Sequence, residues 1–406
     1  MSDSKRLGVK GHRRPWTGPA VAAVTVMALG ITLAGCGSED SSSAAGADDA
    51  ATAAALMAKQ CGGDESTWAT LISAAQKEGQ VTVAGPPNPD VNSAVPAAFQ
   101  KRFGIKVSYI AGSSGQTAQK IQSEREANIY SLDIFLAGGN TMATVIYGGG
   151  WLQDLKSQLV SPKLTEASTW QGIGDHAPFI DEPNYNSVAK LSIQGQEQIL
   201  VNTDLVGDQI KGWHDLLAPK WKGKIVAMDP TTGSGLGFNV AVMLHNKLGP
   251  DFISQLYQGQ DVVLQTDDRQ AADAVAKGRD AVAIGVSEAN GQIDQMIDDG
   301  LPVKVIAAPD DAPAMVSAGY GELGLMAHPA HANAAKLFAN WLLCPDGNQA
   351  WNKANRYEAA RTDVKIEVPD FIKADLTKPY WDTYDWKLLT SNQTKDVQSF
   401  LTTTLK

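Results

Sequence analysis

Three short runs in this 406-residue chain combine glycine with small polar side chains: Gly112-Ser113-Ser114-Gly115-Gln116, Gly138-Gly139-Asn140-Thr141 and Thr231-Thr232-Gly233-Ser234-Gly235. Such runs let backbone N–H groups approach a bound group closely. Where the run opens a helix, the helix dipole adds partial positive charge. The chemistry on offer is anion binding without a counter-charge from a side chain. The same residues also build tight turns in which Ser or Thr caps the following helix. Convergence of two or three runs on one cleft is what would separate a site from three turns. Catalysis has little behind it. The chain has no Gly-x-Ser-x-Gly elbow and no His-Glu-x-x-His helix. His328 and His331 flank Pro329 at a helix start with no third ligand evident, and they read as a cap and a surface residue. Gly233-Ser234-Gly235-Leu236-Gly237 lacks the spacing of a dinucleotide loop. We expect no catalytic residue, no metal site and no cofactor.

The elements around these runs alternate. A helix over 67–78 has Trp68, Leu71, Ile72 and Ala75 on one face and Gly79 as its stop. A strand follows at 81–84, then a helical stripe of Val95, Phe99 and Phe103 closed by Gly104. Ile105, Val107 and Tyr109 alternate as a strand, 117–127 is helical, and 132–136 is a buried strand. Strands separated by helices of this length predict a mostly parallel sheet covered on both faces. The stretch 148–186 is irregular, and extended runs at 188–193 and 199–201 read as a crossing into a second lobe. That lobe repeats the pattern, with strands at 224–228, 262–265 and 281–285 and helices at 237–248, 268–277 and 292–299. A second crossing near 301–306 leads to a strand at 322–326 and a helix at 330–343, which return to the first lobe. The tail ends in an amphipathic helix carrying Val397, Phe400, Leu401 and Leu405. In this order, each of the three glycine runs stands between a strand and the next helix.

The first residues carry Lys5, Arg6, Lys10, Arg13 and Arg14, then an apolar stretch over 20–33, then Leu33-Ala34-Gly35-Cys36. A charged head, a short apolar segment and small residues at the exit are the parts of an export signal. The apolar segment is too short to span a bilayer, which takes about 20 residues. The cysteine after the small pair reads as a lipidation site, which makes Cys36 the first mature residue and anchors the chain at the outer face of the cell membrane. Residues 37–55 are mostly Ser, Ala, Gly, Asp and Glu and predict a flexible tether. With 43% apolar and 19% charged residues the whole chain has an ordinary globular composition, and it is long enough for two domains behind the signal. Its 44 acidic against 34 basic residues disfavour a nucleic-acid partner. With Cys36 lipidated, Cys61 and Cys344 are an even pair outside the cytoplasm. They permit one disulfide, and two small buried thiols fit equally well.

Several segments together resemble the family 1 extracellular solute-binding proteins of ABC importers, in the branch of ferric-iron, thiamine, polyamine and phosphorylated-solute binders. They are Val201-Asn202-Thr203-Asp204-Leu205; Trp213 to Leu217; Pro219-Lys220-Trp221-Lys222-Gly223-Lys224; and Asp229-Pro230. Gly278 through Ile284 matches as well. So do Ala327-His328-Pro329, Ala334 through Phe338, Trp341-Leu342-Leu343, Pro345-Asp346-Gly347 and Gln349. The likeness covers roughly 81–364 and keeps its order. It implies a two-lobed α/β fold of the periplasmic-binding-protein type II, with two hinge crossings and a solute held between the lobes. We expect lobe 1 over 61–190 plus 303–355 and lobe 2 over 191–302 plus 356–406, behind a signal at 1–35 and a linker at 36–60. It further implies a monomer that delivers a small solute to a membrane permease with its ATPase. By the same comparison Ser287 and Glu288 face the cleft, with Arg269 and Tyr320 as further candidates. Ferric binders of the family place adjacent tyrosines after the strand that corresponds to 281–285. Here Val286-Ser287-Glu288-Ala289-Asn290 has none, which favours an organic or phosphorylated anion over Fe(III). A ferric binder and a secreted enzyme on the same scaffold are the alternatives. The expected ligand residues are therefore Ser113, Ser114, Gly115, Gln116, Gly139, Asn140, Thr231, Thr232, Ser234, Ser287, Glu288 and Tyr320.

Overall fold

The computed structural model describes residues 49–287 and 291–405. The export signal, Cys36 and Glu288 lie outside the described residues. Two five-stranded sheets organise the chain, each with helices on both faces. The first has the order β2-β1-β3-β12-β4, built from β1 (Gln80–Gly85), β2 (Lys106–Ala111), β3 (Ile134–Ala137), β4 (Val188–Lys190) and β12 (Glu322–Leu325). The second has the order β10-β6-β9-β7-β8, from β6 (Ile199–Asn202), β7 (Ile225–Met228), β8 (Val263–Gln265), β9 (Val282–Ile284) and β10 (Val303–Ile306). Between them lie β5 (Gln194–Gly195), β11 (Ala314–Ser317) and β13 (Tyr380–Asp382), in the order β13-β11-β5.

The two sheets are built alike. In each, three strands pair in parallel, and a fourth, antiparallel strand arrives from a crossing: β12 beside β3 and β6 beside β9. The sheets are therefore mixed, where the alternation alone predicted mostly parallel ones. Period-two side-chain alternation sends each strand's apolar groups to two cores. Val81, Val83, Ile134, Leu136, Leu323 and Leu325 join Phe99, Phe103, Phe338 and Trp341 on one face, while Ala84, Phe135 and Ala137 face Ile121 and Ile146 on the other. In the second lobe Ile199, Val201, Ile225, Ala227, Val282 and Ile284 bury against Val240, Leu244 and Trp213. Leu200, Val226 and Ala283 bury against Val275 and Ile293.

Four expectations need correction. Residues 50–61 are helix rather than tether: Asp49 Oδ1 accepts the Thr52 N–H at 2.7 Å, and Ala53, Ala54, Met57 and Cys61 are buried. Alanine is the strongest helix former, and a face of small residues needs no large side chain to pack closely. Residues 303–306, expected in lobe 1, are the edge strand of the second sheet. Leu191, Ile193 and Ala360, expected in lobe 2, belong to the first lobe's core. The tail, expected in lobe 2, is shared. Trp386 and Leu389 pack into the first lobe, Val397 and Leu401 into the second, and β13 lies beside β11 in between. Beside the two crossing strands the tail thus makes a further passage between lobes. Cys61 and Cys344 are joined by a disulfide with Cα atoms 5.4 Å apart. It ties the helix Ala50–Cys61 to the end of the helix Ala332–Leu343.

Candidate functional site

A cleft of about 610 Å³ opens where the carboxyl ends of the parallel strands of both sheets meet. Ligands settle at such ends because the loops there lead into helix N-termini. From the first lobe, β1 runs into Pro86-Pro87-Asn88 and the helix Pro89–Phe103, and β2 runs into Ser113 and the helix Ser114–Glu126. From the second, β7 leads through Asp229, Thr232 and Ser234 to the helix Gly235–Lys247. Gln265 and Thr266 end β8 before the helix Asp268–Ala276, and Gly285 and Ser287 follow β9. The hinge supplies Gln194, Gln196, Glu197, Ser317 and Tyr320, and the C-terminal parts of the chain add Asn355, Arg356, Tyr357 and Tyr384.

Of the expected residues, Ser113, Thr232, Ser234, Ser287 and Tyr320 line this cleft. The others do different work. Ser114 Oγ accepts the Gly138 N–H at 3.1 Å and so ties two of the glycine runs together. Gly115 and Gln116 are exposed, with the Gln116 N–H bonded back to Ser113 Oγ at 3.3 Å. Gly139 is buried under the Tyr384 ring, leaving no room for a Cβ. Asn140 Nδ2 donates across to the Gly233 carbonyl at 3.1 Å, a contact between lobes rather than with a ligand. Thr231 is turned away onto Asp229, to which its N–H donates at 2.8 Å and its hydroxyl at 2.7 Å. The Arg269 side chain is exposed and outside the cleft lining. His331 Nδ1 meets the buried carboxylate of Asp133 at 2.8 Å. His328 sits in the left-handed backbone region with its ring edge-on to Tyr130. Both histidines are structural, although His331 serves by its bond to Asp133 and not as a side-chain cap.

The helix N-termini around the cleft differ in one respect. Asn88 Oδ1 accepts the Asp90 N–H at 2.9 Å, Ser113 caps the next helix, and Asp267 Oδ1 accepts the Gln270 N–H at 3.1 Å. Ser234, at the head of Gly235–Lys247, makes no such bond. The first turn of that helix (Gly235, Leu236 and Gly237) lines the cleft with its amides uncapped. Gly235 needs its positive φ of 80°, and the space around it is open. Two carboxylates in the wall are already engaged. Asp229 holds Thr231, and Asp268 accepts the Ser287 N–H at 2.8 Å. Burial raises the pKa of Asp268 from the usual carboxylate value, against the Ser287 bond that lowers it. Burial likewise pushes the phenols of Tyr320, Tyr357 and Tyr384 up, so they present neutral hydroxyls. Of the hinge residues, sequence reasoning found Tyr320 and missed Gln194, Gln196, Glu197 and Ser317. The run Gln194-Gly195-Gln196-Glu197-Gln198, five non-apolar residues flanked by apolar strands, was the available signal. A second hollow of about 630 Å³, lined by Gly172, Tyr380, Trp381 and Asp385 among others, is reached by none of the glycine runs. Among the described residues no group of three or more His, Cys, Asp or Glu could hold a metal ion, and no helix is long and apolar enough to cross a membrane.

Comparison with known proteins agrees with this architecture. Residues 94–379 match the family model described as bacterial extracellular solute-binding protein. Iron-bound HitA from Pseudomonas aeruginosa superposes with a TM-score of 0.62 at 17% identity, over 80% of this chain and 99% of that one. The periplasmic binding protein AfuA from Actinobacillus pleuropneumoniae, with fructose 6-phosphate bound, gives 0.61 at 20% identity, over 79% and 97%. An uncharacterized protein of Haemophilus influenzae is 21% identical over 290 residues, 67% of this chain and 75% of its own length.

Proposed function

From the premise that the chain belongs to the bacterial extracellular solute-binding proteins, we propose that it is the receptor of an ABC importer for a small organic or phosphorylated anion. The uncapped first turn of the helix Gly235–Lys247, opening into the interlobe cleft, carries this reading. An anion there meets amide N–H groups and the positive end of a 13-residue helix. Neutral phenols, Gln194 and Gln196 in the same wall supply donors for hydroxyls or carboxylates. The solute touches both lobes, so it binds the closed form more tightly and shifts the hinge equilibrium toward it. The closed form is what the permease recognises before the solute is passed on. Lipid on Cys36 holds the receptor at the outer face of the membrane, and no step of this scheme is enzymatic.

Ser234→Asp tests the reading. A carboxylate at this position caps the helix and occupies the anion site with its own charge. The apo protein should gain about 0.5–1 kcal/mol, while affinity for fructose 6-phosphate or inorganic phosphate, read by calorimetry, falls more than tenfold. Unchanged affinity refutes the anion site. A second reading, ferric iron, draws on the three phenols of Tyr320, Tyr357 and Tyr384 in the same wall, since Fe(III) prefers anionic oxygen donors. A visible absorption band on adding ferric citrate to the purified protein would favour it.

A further inference from the structure

Among the described residues lining the cleft, Arg356 is the one that carries a positive side chain. It follows the helix Pro345–Asn355, whose Trp351 and Ala354 are part of the first lobe's core. Its guanidinium pairs with Asp294 on the helix Gln292–Asp298, whose Ile293 and Met296 bury in the second lobe. The pair therefore spans the two lobes at the wall of the cleft. Two further features set this arginine apart from an ordinary surface ion pair. Its backbone is left-handed, φ 59°, at a helix C-terminus where glycine would meet no strain. That conformation aims the side chain across the gap. On the far side the guanidinium lies directly against Gly291, where a Cβ would have to push it aside. The side chain is 42% exposed, so a solute can reach it.

We propose that Arg356 is an exchangeable latch: in the solute-free protein it holds the lobes together through Asp294, and an anionic solute takes the same guanidinium from Asp294. The second half rests on the anionic reading given above. The first half does not, because it concerns the empty protein. Arg356 thus decides charge selectivity, and Asp294 sets how much of the solute's binding free energy is spent in releasing it.

Small-angle X-ray scattering of the solute-free protein tests the latch. Arg356→Gln and Asp294→Asn should each enlarge the radius of gyration, and the exchanged pair Arg356→Asp with Asp294→Arg should restore the wild-type value. Single variants that scatter like wild type overturn the latch. Calorimetry with inorganic phosphate and with fructose 6-phosphate tests the exchange. Arg356→Gln should bind at least tenfold more weakly, Asp294→Asn several-fold more tightly, and the exchanged pair as weakly as Arg356→Gln. If Asp294→Asn weakens binding as much as Arg356→Gln, the solute does not compete with Asp294 and the exchange is overturned. If wild type binds neither anion, the exchange falls together with the anionic reading, and scattering alone still decides the latch.

Discussion

Replacing Glu322 by Gln should make the protein more stable, by an amount that grows with pH. Glu322 lies in β12, 0% exposed, opposite Lys190 of β4. Neither of its carboxylate oxygens has a hydrogen-bond partner among the described residues. Lys190 Nζ is committed to Asp382 at 2.9 Å, and Asp181 and Tyr384 also lie within electrostatic reach. Burial pushes the Glu322 carboxyl up to about 8; Lys190 pulls it down, and Asp382 and Asp181 push it further up. The native state therefore keeps a proton that the unfolded chain loses near pH 4.5. With the folded pKa raised, wild-type stability falls as pH rises from about 4.5 to about 8 and is level, for this group, on either side. Each tenfold difference in proton affinity is worth about 1.4 kcal/mol. Gln keeps the shape and has no proton to lose. The Gln variant should match wild type within about 1 kcal/mol at pH 4, exceed it by about 3 kcal/mol at pH 7 and by about 5 kcal/mol at pH 9. Urea unfolding at the three pH values reads this directly. A stability difference that is the same at pH 4 and pH 9 would refute the reasoning, because it would mean that the carboxyl titrates alike in both states.

Reduction of the Cys61–Cys344 bridge, or the double Ser variant, should lower stability in urea. The bond closes a loop of 283 residues, for which the chain-entropy model gives an upper figure of about 6 kcal/mol. Solute affinity should stay within twofold, since neither cysteine touches the cleft; a large loss of affinity with little loss of stability would contradict this. Phe99→Ala should cost about 3–5 kcal/mol. Phe99 is 0% exposed and packs its ring 4.9 Å from those of Phe103 and Phe338 and 5.3 Å from Trp341. A melting temperature within 2 °C of wild type would show that this cluster does not hold the first lobe.

Much of the scaffold was legible because single elements announce themselves. The stripe of Val95, Phe99 and Phe103 before Gly104 has the helical period, and Gly104 takes the left-handed cap at φ 71° that only glycine adopts freely. The crossing at 188–201 showed as extended segments out of step with the βα alternation, whereas 303–306, read as part of a second crossing, is an edge strand of the second sheet. What stayed hidden depends on partners distant in sequence. The helix Ala50–Cys61 looks like a tether until its alanines meet the helix Glu65–Glu78. The site divided in the same way. Ser113, Thr232 and Ser234 could be found because strand-to-helix loops carry a local signature. Tyr357, Tyr384 and Arg356 reach the cleft only after the last third of the chain has passed back between the lobes. No spacing within that segment brings them to Ser113.

A chain with a net charge of −10 hosts an anion only where local donors outweigh the nearby carboxylates. In the cleft wall Asp229 accepts hydrogen bonds from the Thr231 amide and hydroxyl, and Asp268 from the Ser287 amide. Each carboxylate fixes a loop of its own lobe. The opposite holds at Ser234, where the side chain that could have capped the helix does not, and the amides stay available. Thr231 and Thr232, adjacent and chemically alike, are both bonded within their own loop: the Thr231 hydroxyl donates to Asp229 Oδ1 and the Thr232 hydroxyl to the Asp229 and Ser234 carbonyls, although Thr232 also lines the cleft. Residue type shows which groups can bind an anion. Whether they do depends on which of them the fold has already paired, and pairing is a property of the loop's geometry rather than of its composition.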